Sequence, residues 1–296
     1  AIGEFQKAQE ADPDFALAYW GESLCYNHPL ISEWNRQTPI DILQRLGTTP
    51  EQRLVKANTQ REQGFIRAVE ALFNGPGDIS QRRIAYKDAM QTLYAQFPDN
   101  DEVAAFYALS LLSAARASGD DLMKMNIFAG SIATRLFNKN NNHPGAAHYV
   151  IHSFDDPLHA PLALEAAQKF ARIAPAVSHA RHMPTHIFIQ HGMWQQVSTS
   201  NQSAFDAAKD LWEPGDAVGD MVHALDWGQY GDLQLGDNEK AKLWITRLES
   251  IAEQNDGQEG SLEKVRARYV VETEDWQIMA VSDQSTADSL LAAGLS

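Results

Sequence analysis

Apolar residues recur three and four positions apart along most of this chain, the spacing that lines one face of an α-helix. The clearest case lies between 79 and 97, where Tyr86, Met90, Leu93, Tyr94 and Phe97 form a single stripe. The same periodicity predicts helices over 1–11, 15–26, 50–73, 79–97, 101–117, 121–137, 144–154, 157–173, 184–191, 194–212, 216–235 and 238–253. Polar and proline-bearing turns separate them: Asp12-Pro13, Asn27-His28-Pro29, Asn74-Gly75-Pro76-Gly77, Pro98-Asp99-Asn100 and 138–142. Residues 30–48 read as irregular chain or a short helix. Thr49-Pro50-Glu51-Gln52 is a helix start, with threonine as cap, proline in the first turn and Gln52 closing a capping box. Only 265–276 is ambiguous. Val265, Ala267, Tyr269 and Val271 alternate like a strand, but no other segment offers that strand a partner, so helix is expected there too.

Many helices on short connections predict an all-α protein, either a helical array or a bundle. Repeat signals favour the array. Phe5, Ala8 and Pro13 close one helix pair, and Leu17, Gly21 and Leu24 open the next. Gly192, Trp194 and Val197 mark a turn and the start of a second helix; Gly236 and Ala241 repeat that turn. The two glycines are further apart than the roughly 34-residue period of a tetratricopeptide unit, so the repeats are degenerate. The expected architecture is an α-α superhelix, a tetratricopeptide-like solenoid running through 1–296 as one continuous domain. The opening AIGEFQKAQEADP reads as the second helix of a pair whose first helix is missing, so a truncated N-terminal repeat is expected. QNDGQEG, 254–260, reads as the loosest turn, and 254–296 as a helical extension.

Charge narrows the partners. Acidic residues number 39 against 24 basic, a formal charge of −15 with no basic block. Such a field repels phosphate backbones, so no nucleic-acid partner is expected. No apolar run reaches the ~20 residues of a membrane helix, so no membrane insertion is expected. Cys25 is the single cysteine, which excludes a disulfide framework and a cysteine zinc site and fits either cytoplasm or periplasm.

The chemistry sits in one stretch. Eight of the ten histidines lie between His143 and His191. His148 and His152 are four apart, so on a helix both imidazoles share one face. His182 and His186 have the same spacing, but Pro184 lies between them. Because proline belongs in a first turn, His182 is expected just before a helix and His186 within its first turn. His143, ahead of Pro144, and the His223/Asp226 pair, three apart on one face, complete a candidate pocket of His143, His148, His152, His182, His186, His223 and Asp226. Within it, His148, His152, His182 and His186 are the candidate ligands of a divalent metal, zinc first, with copper and nickel as alternatives. Asp226 is the expected orienting or acid–base partner of His223. His159 and His191 read as structural or surface residues. Trp20, Tyr149, Phe188, Trp194 and Trp227 read as packing.

The stretches FALAYWGESLCYNHPL, AQFPDNDEVAAFYALSLL, HPGAAHYVIHSFDDP, HARHMPTHIFIQHGMW and HALDWGQYGDLQLGD resemble a bacterial family of large, divergent tetratricopeptide-repeat proteins. The resemblance spans about 15 to 237, with the two histidine motifs its specific part; residues after about 245 fall outside it. It implies an all-helical repeat fold and brings no activity, so no catalytic residue is carried over. Two functions remain open at this point. One is a binding scaffold whose concave face and histidine-lined pocket take a peptide, protein, small molecule or metal. The other is a zinc-type hydrolase built on the histidine cluster.

Overall fold

The computed structural model describes residues 1–27, 35–117, 119 and 122–278. The expected break at His28-Pro29, residues 30–34 and the extension beyond 278 lie outside them. Helices are the regular structure of the described residues, with no strand among them. The alternating stretch at 265–276 belongs to a helix that runs to Thr273. The chain forms two compact units, Ala1–Ser153 and Phe154–Ser296.

The first unit contains α1 (Ile2–Ala11), α2 (Ala16–Leu24), α3 (Gln37–Leu46), α4 (Pro50–Lys56), α5 (Gln60–Val69), α6 (Ile79–Gln96), α7 (Asp101–Ala115), α8 (Leu122–Lys139) and α9 (Pro144–Ser153). Most helices pack against the ones that flank them in sequence, the nearest-neighbour pattern of a helical-repeat fold. Two features of the 50–73 stretch differ from the single helix its pattern predicts. Thr49 and Gln52 do form the expected capping box, but Thr59 and Glu62 form a second one ten residues on, so the helix stops at Lys56 and restarts at Gln60. The restarted helix ends in a wider π-type turn, Glu70–Asn74. There Glu70 takes the guanidinium of Arg53 through two contacts of 2.5 and 3.0 Å.

Close packing in this unit follows the small residues. A Cβ at Gly21 would fall 2.2 Å from the Phe5 ring, so α1 and α2 approach through a glycine. Glu22, 2% exposed, accepts from Gln6 (2.9 Å) and Gln9 (2.6 Å) of α1 and pairs with Arg45 of α3, tying three helices to one buried carboxylate. A lone buried carboxylate costs several kcal/mol, which these donors offset. Tyr86, Met90 and Leu93 of the α6 stripe are buried, with Tyr94 and Phe97 half-buried at its end. Trp20, Phe65 and Phe106 make an aromatic cluster with centroids 4.6–5.9 Å apart, joining α2, α5 and α7.

The second unit opens on a 3₁₀ turn, Ala160–Ala163, inside the stretch predicted as one helix over 157–173; Pro157 and Pro161 delay the regular helix to α10 (Leu164–Ile173). Then follow α11 (Ser178–His182), α12 (Pro184–Gln190), α13 (Trp194–Leu211), α14 (Gly219–Gln234), α15 (Asn238–Ala252) and α16 (Glu259–Thr273).

The repeat signal at Gly192 and Gly236 has a geometric cause. Both glycines are left-handed, φ +63° and +72°, where a side chain would be strained. Each closes the same helix end: Met193 N–H donates to the Phe188 carbonyl, and Asp237 N–H to the Asp232 carbonyl, five residues back in both cases. A new helix starts at once, so α12–α13 and α14–α15 are equivalent helix–turn–helix pairs. Between them α13 and α14 meet at Gly231, where a Cβ would lie 2.9 Å from Val197 Cγ1 and 3.0 Å from the Ser198 nitrogen. Fully buried Asp232 accepts from Trp244 Nε1 (2.7 Å) and Lys240 Nζ (3.0 Å), locking α14 to α15. Gln229 Nε2 donates to the Val265 carbonyl (2.8 Å), locking α14 to α16.

Candidate metal centre

The second unit brings His182, His186 and His223 together, with one ring nitrogen of each within 4.8 Å of the others. Three elements deliver them. α11 ends at His182, and Met183 keeps helical angles (φ −51°, ψ −35°), so the chain enters α12 without changing direction. Pro184 removes one hydrogen bond from the ladder, yet the four-residue spacing still stacks His182 on His186, with Nε2 to Nε2 at 3.2 Å. His182 therefore closes a short helix of its own rather than sitting in loop, because Ser178–His182 completes a turn before the proline. His223 comes from the first half of α14, its ring 4.3 Å from that of His182.

The outward nitrogens of the first two rings are held. His182 Nδ1 lies 2.7 Å from Asn201 Oδ1 on α13. Asn201 Nδ2 is committed to the Val197 carbonyl (2.9 Å), so the amide presents its oxygen and the imidazole donates. His186 Nδ1 lies 2.7 Å from Asp155 Oδ2, a carboxylate that only accepts, so this ring donates as well. Both rings thus donate through Nδ1 and turn Nε2 toward each other. Trp227, one turn past His223, covers the rings at 4.6 Å from His186 and 5.1 Å from His182.

Burial sets the charge state. His182 is 2% exposed. Burial pushes its pKa down to about 2, with His223 pushing the same way and the Asn201 bond opposing. His223 is open to solvent on one side, yet desolvation against its neighbours, then His186, lowers its pKa too. Asp226 behaves differently from its expected role. Burial would raise its pKa, but Arg268 and Lys264 hold it below the usual carboxylate range. Its Oδ1 accepts from Arg268 (2.6 Å) and its Oδ2 from Lys264 (2.8 Å), so its contacts run to α16. The carboxylate that orients an imidazole here is Asp155.

In the first unit His148 and His152 do share one face of α9, with Nε2 to Nε2 at 2.9 Å. His143 precedes that helix and caps it: its Nδ1 accepts from the Ala146 N–H at 3.2 Å. His159 contacts Asp156 at 2.9 Å and His191 the Ile187 carbonyl at 2.8 Å, both local turn contacts. Asn201 escaped sequence reasoning altogether. It lies 15 residues past His186, in a polar stretch of α13, and nothing local marks it as facing inward.

No family model matches this sequence, and no curated protein matches it. Among solved structures, the crystal structure of yeast Tom70 aligns over 99% of this chain and 84% of its own, at 8% identity and a TM-score of 0.33. No helix among the described residues is long and apolar enough to cross a membrane.

Proposed function

We propose that this helical-repeat protein binds a divalent metal, zinc first, through His182, His186 and His223. The observation that carries the reading is the 3.2 Å contact between two Nε2 atoms whose rings both donate through Nδ1. Two lone pairs at that distance repel unless a cation or a proton lies between them. Two nitrogens on a tetrahedral zinc, each ~2.0–2.1 Å from the metal, stand about 3.3 Å apart. His223 has an exposed side chain that rotation can bring onto the same ion. Asn201 and Asp155 are the partners that fix ring orientation, and the carboxylate raises the basicity of His186. Three histidine nitrogens leave a fourth position for a small ligand.

This makes binding the reading favoured over hydrolysis. A hydrolytic site needs a base beside the open position, and Asp226, the carboxylate the sequence put forward, is taken by Arg268 and Lys264. His148 and His152 stand outside the proposed set, which draws on the second unit alone.

Calorimetry on the full chain, freed of any polyhistidine tag and stripped of metal, tests it. We expect one tightly bound Zn²⁺ per chain, with proton release visible as a dependence of the binding enthalpy on the buffer. His223→Ala, at an exposed position, should weaken zinc binding at least ~10-fold while stability moves by less than about 0.5 kcal/mol. No zinc retained by the unsubstituted chain, or unsubstituted affinity kept in both His223→Ala and His186→Ala, would overturn the proposal.

A further inference from the structure

We propose that the fourth metal position takes a small dicarboxylate, with Lys264 holding the ligand's second carboxylate. The inference rests on the metal reading above. His223 forms one wall of a cleft of about 310 Å³ between α14 and α16, shared with Val222, Asp226, Gln258, Ser261 and Lys264. That volume is at the small end for ligand sites and suits a metabolite-sized molecule rather than a peptide. His223, one of the three proposed ligands, and Lys264 therefore line the same space.

Charge selects the ligand's sign. Zinc held by three neutral imidazoles keeps its full +2 charge, unlike a site with thiolates or carboxylates. Lys264 adds a second cation, its side chain 59% exposed. Its acidic partner among the described residues, Asp226, does not depend on it. Arg268 remains on Asp226 Oδ1 and on the Asp226 backbone carbonyl (2.8 Å) when Lys264 swings away. Arg268 is pinned further by Gln229, and its guanidinium lies 5.5 Å from the Tyr230 ring centroid. So Lys264 is the cation that can be lent to an incoming anion without stranding a buried carboxylate. Ser261 and Gln258 add neutral hydrogen-bonding groups to the same lining. The cleft's own charges, Asp226 and Lys264, cancel, so in a protein with a formal charge of −15 the bound metal supplies the net positive charge that favours an anion.

The test uses the full chain loaded with Co²⁺ in place of zinc, whose visible bands report the metal's ligands, titrated with glutarate and with butyrate. Glutarate should shift the bands at a concentration about ten-fold lower than butyrate, the worth of one added charge-assisted contact. In Lys264→Ala that gap should close, while the cobalt bands themselves show the metal site intact. A gap that persists in Lys264→Ala overturns the role of the lysine. Cobalt bands that neither acid perturbs overturn the carboxylate ligand while leaving the metal reading standing. Failure of the unsubstituted chain to bind cobalt at all would overturn both.

Discussion

Asn201→Ala isolates how the site is built. Asn201 is fully buried, accepts from His182 Nδ1 at 2.7 Å and donates to the Val197 carbonyl at 2.9 Å. Truncation strands the His182 N–H in a place water does not reach, since that ring is 2% exposed. A buried donor left without a partner costs roughly 1–3 kcal/mol, and the emptied amide volume adds to it, so we expect a loss of about 2–4 kcal/mol. The assay is urea unfolding of metal-stripped protein at pH 7, read by helical circular dichroism. The same variant should bind zinc about 10–100-fold more weakly, because His182 Nε2 is no longer aimed. Asn201→Asp is the companion. It keeps an acceptor at Nδ1 but adds a charge that favours the imidazolium, so the His182 pKa should rise from its depressed position. A stability loss below about 0.5 kcal/mol in Asn201→Ala, with unchanged zinc affinity, would refute the reasoning, since ordinary surface changes do as much.

Three further outcomes follow from named contacts. His182 has a folded pKa near 2 against an ordinary 6.5, so below pH 6.5 the unfolded chain binds one proton more. Its contribution to stability is complete above that pH and lost as the pH falls toward 2, at about 1.4 kcal/mol per unit; metal-stripped protein should lose about 2 kcal/mol from this group between pH 7 and 5. An acid slope equal in His182→Gln would refute that. Gly231→Ala should destabilise by roughly 1–3 kcal/mol despite alanine's better helix propensity, because its Cβ meets the backbone of α13; Gly219→Ala, with open space around it, should not, as thermal melting will show. Thr59→Ala removes the cap that restarts α5 and should cost about 1 kcal/mol in urea unfolding.

Local signals in the sequence were enough for the helical class and most helix positions. Periodicity needs only neighbours three and four apart, and the Tyr86–Leu93 stripe is buried as it reads. The paired glycines 192 and 236 were legible for the same reason: a left-handed residue that closes a helix is a local event. So was the stacking of His148 on His152 and of His182 on His186, since both pairs depend only on helical rise. The second capping box at Thr59 was equally local and still missed, although 58–64, NTQREQG, holds no apolar residue to carry the stripe across. What spacing could not supply was the identity of partners across helices. His223 joins His182 only because Gly231 lets α14 approach α13, and Asn201 reaches His182 only because that face of α13 turns inward. Asp226 sits one turn from His223, as the sequence suggests, yet α16 brings Arg268 and Lys264 to it from about forty residues away. Asp155 takes the orienting role instead, 31 residues ahead of the ring it holds. Those pairings depend on which helix faces meet, and the packing of small against large side chains decides that only once the chain has folded.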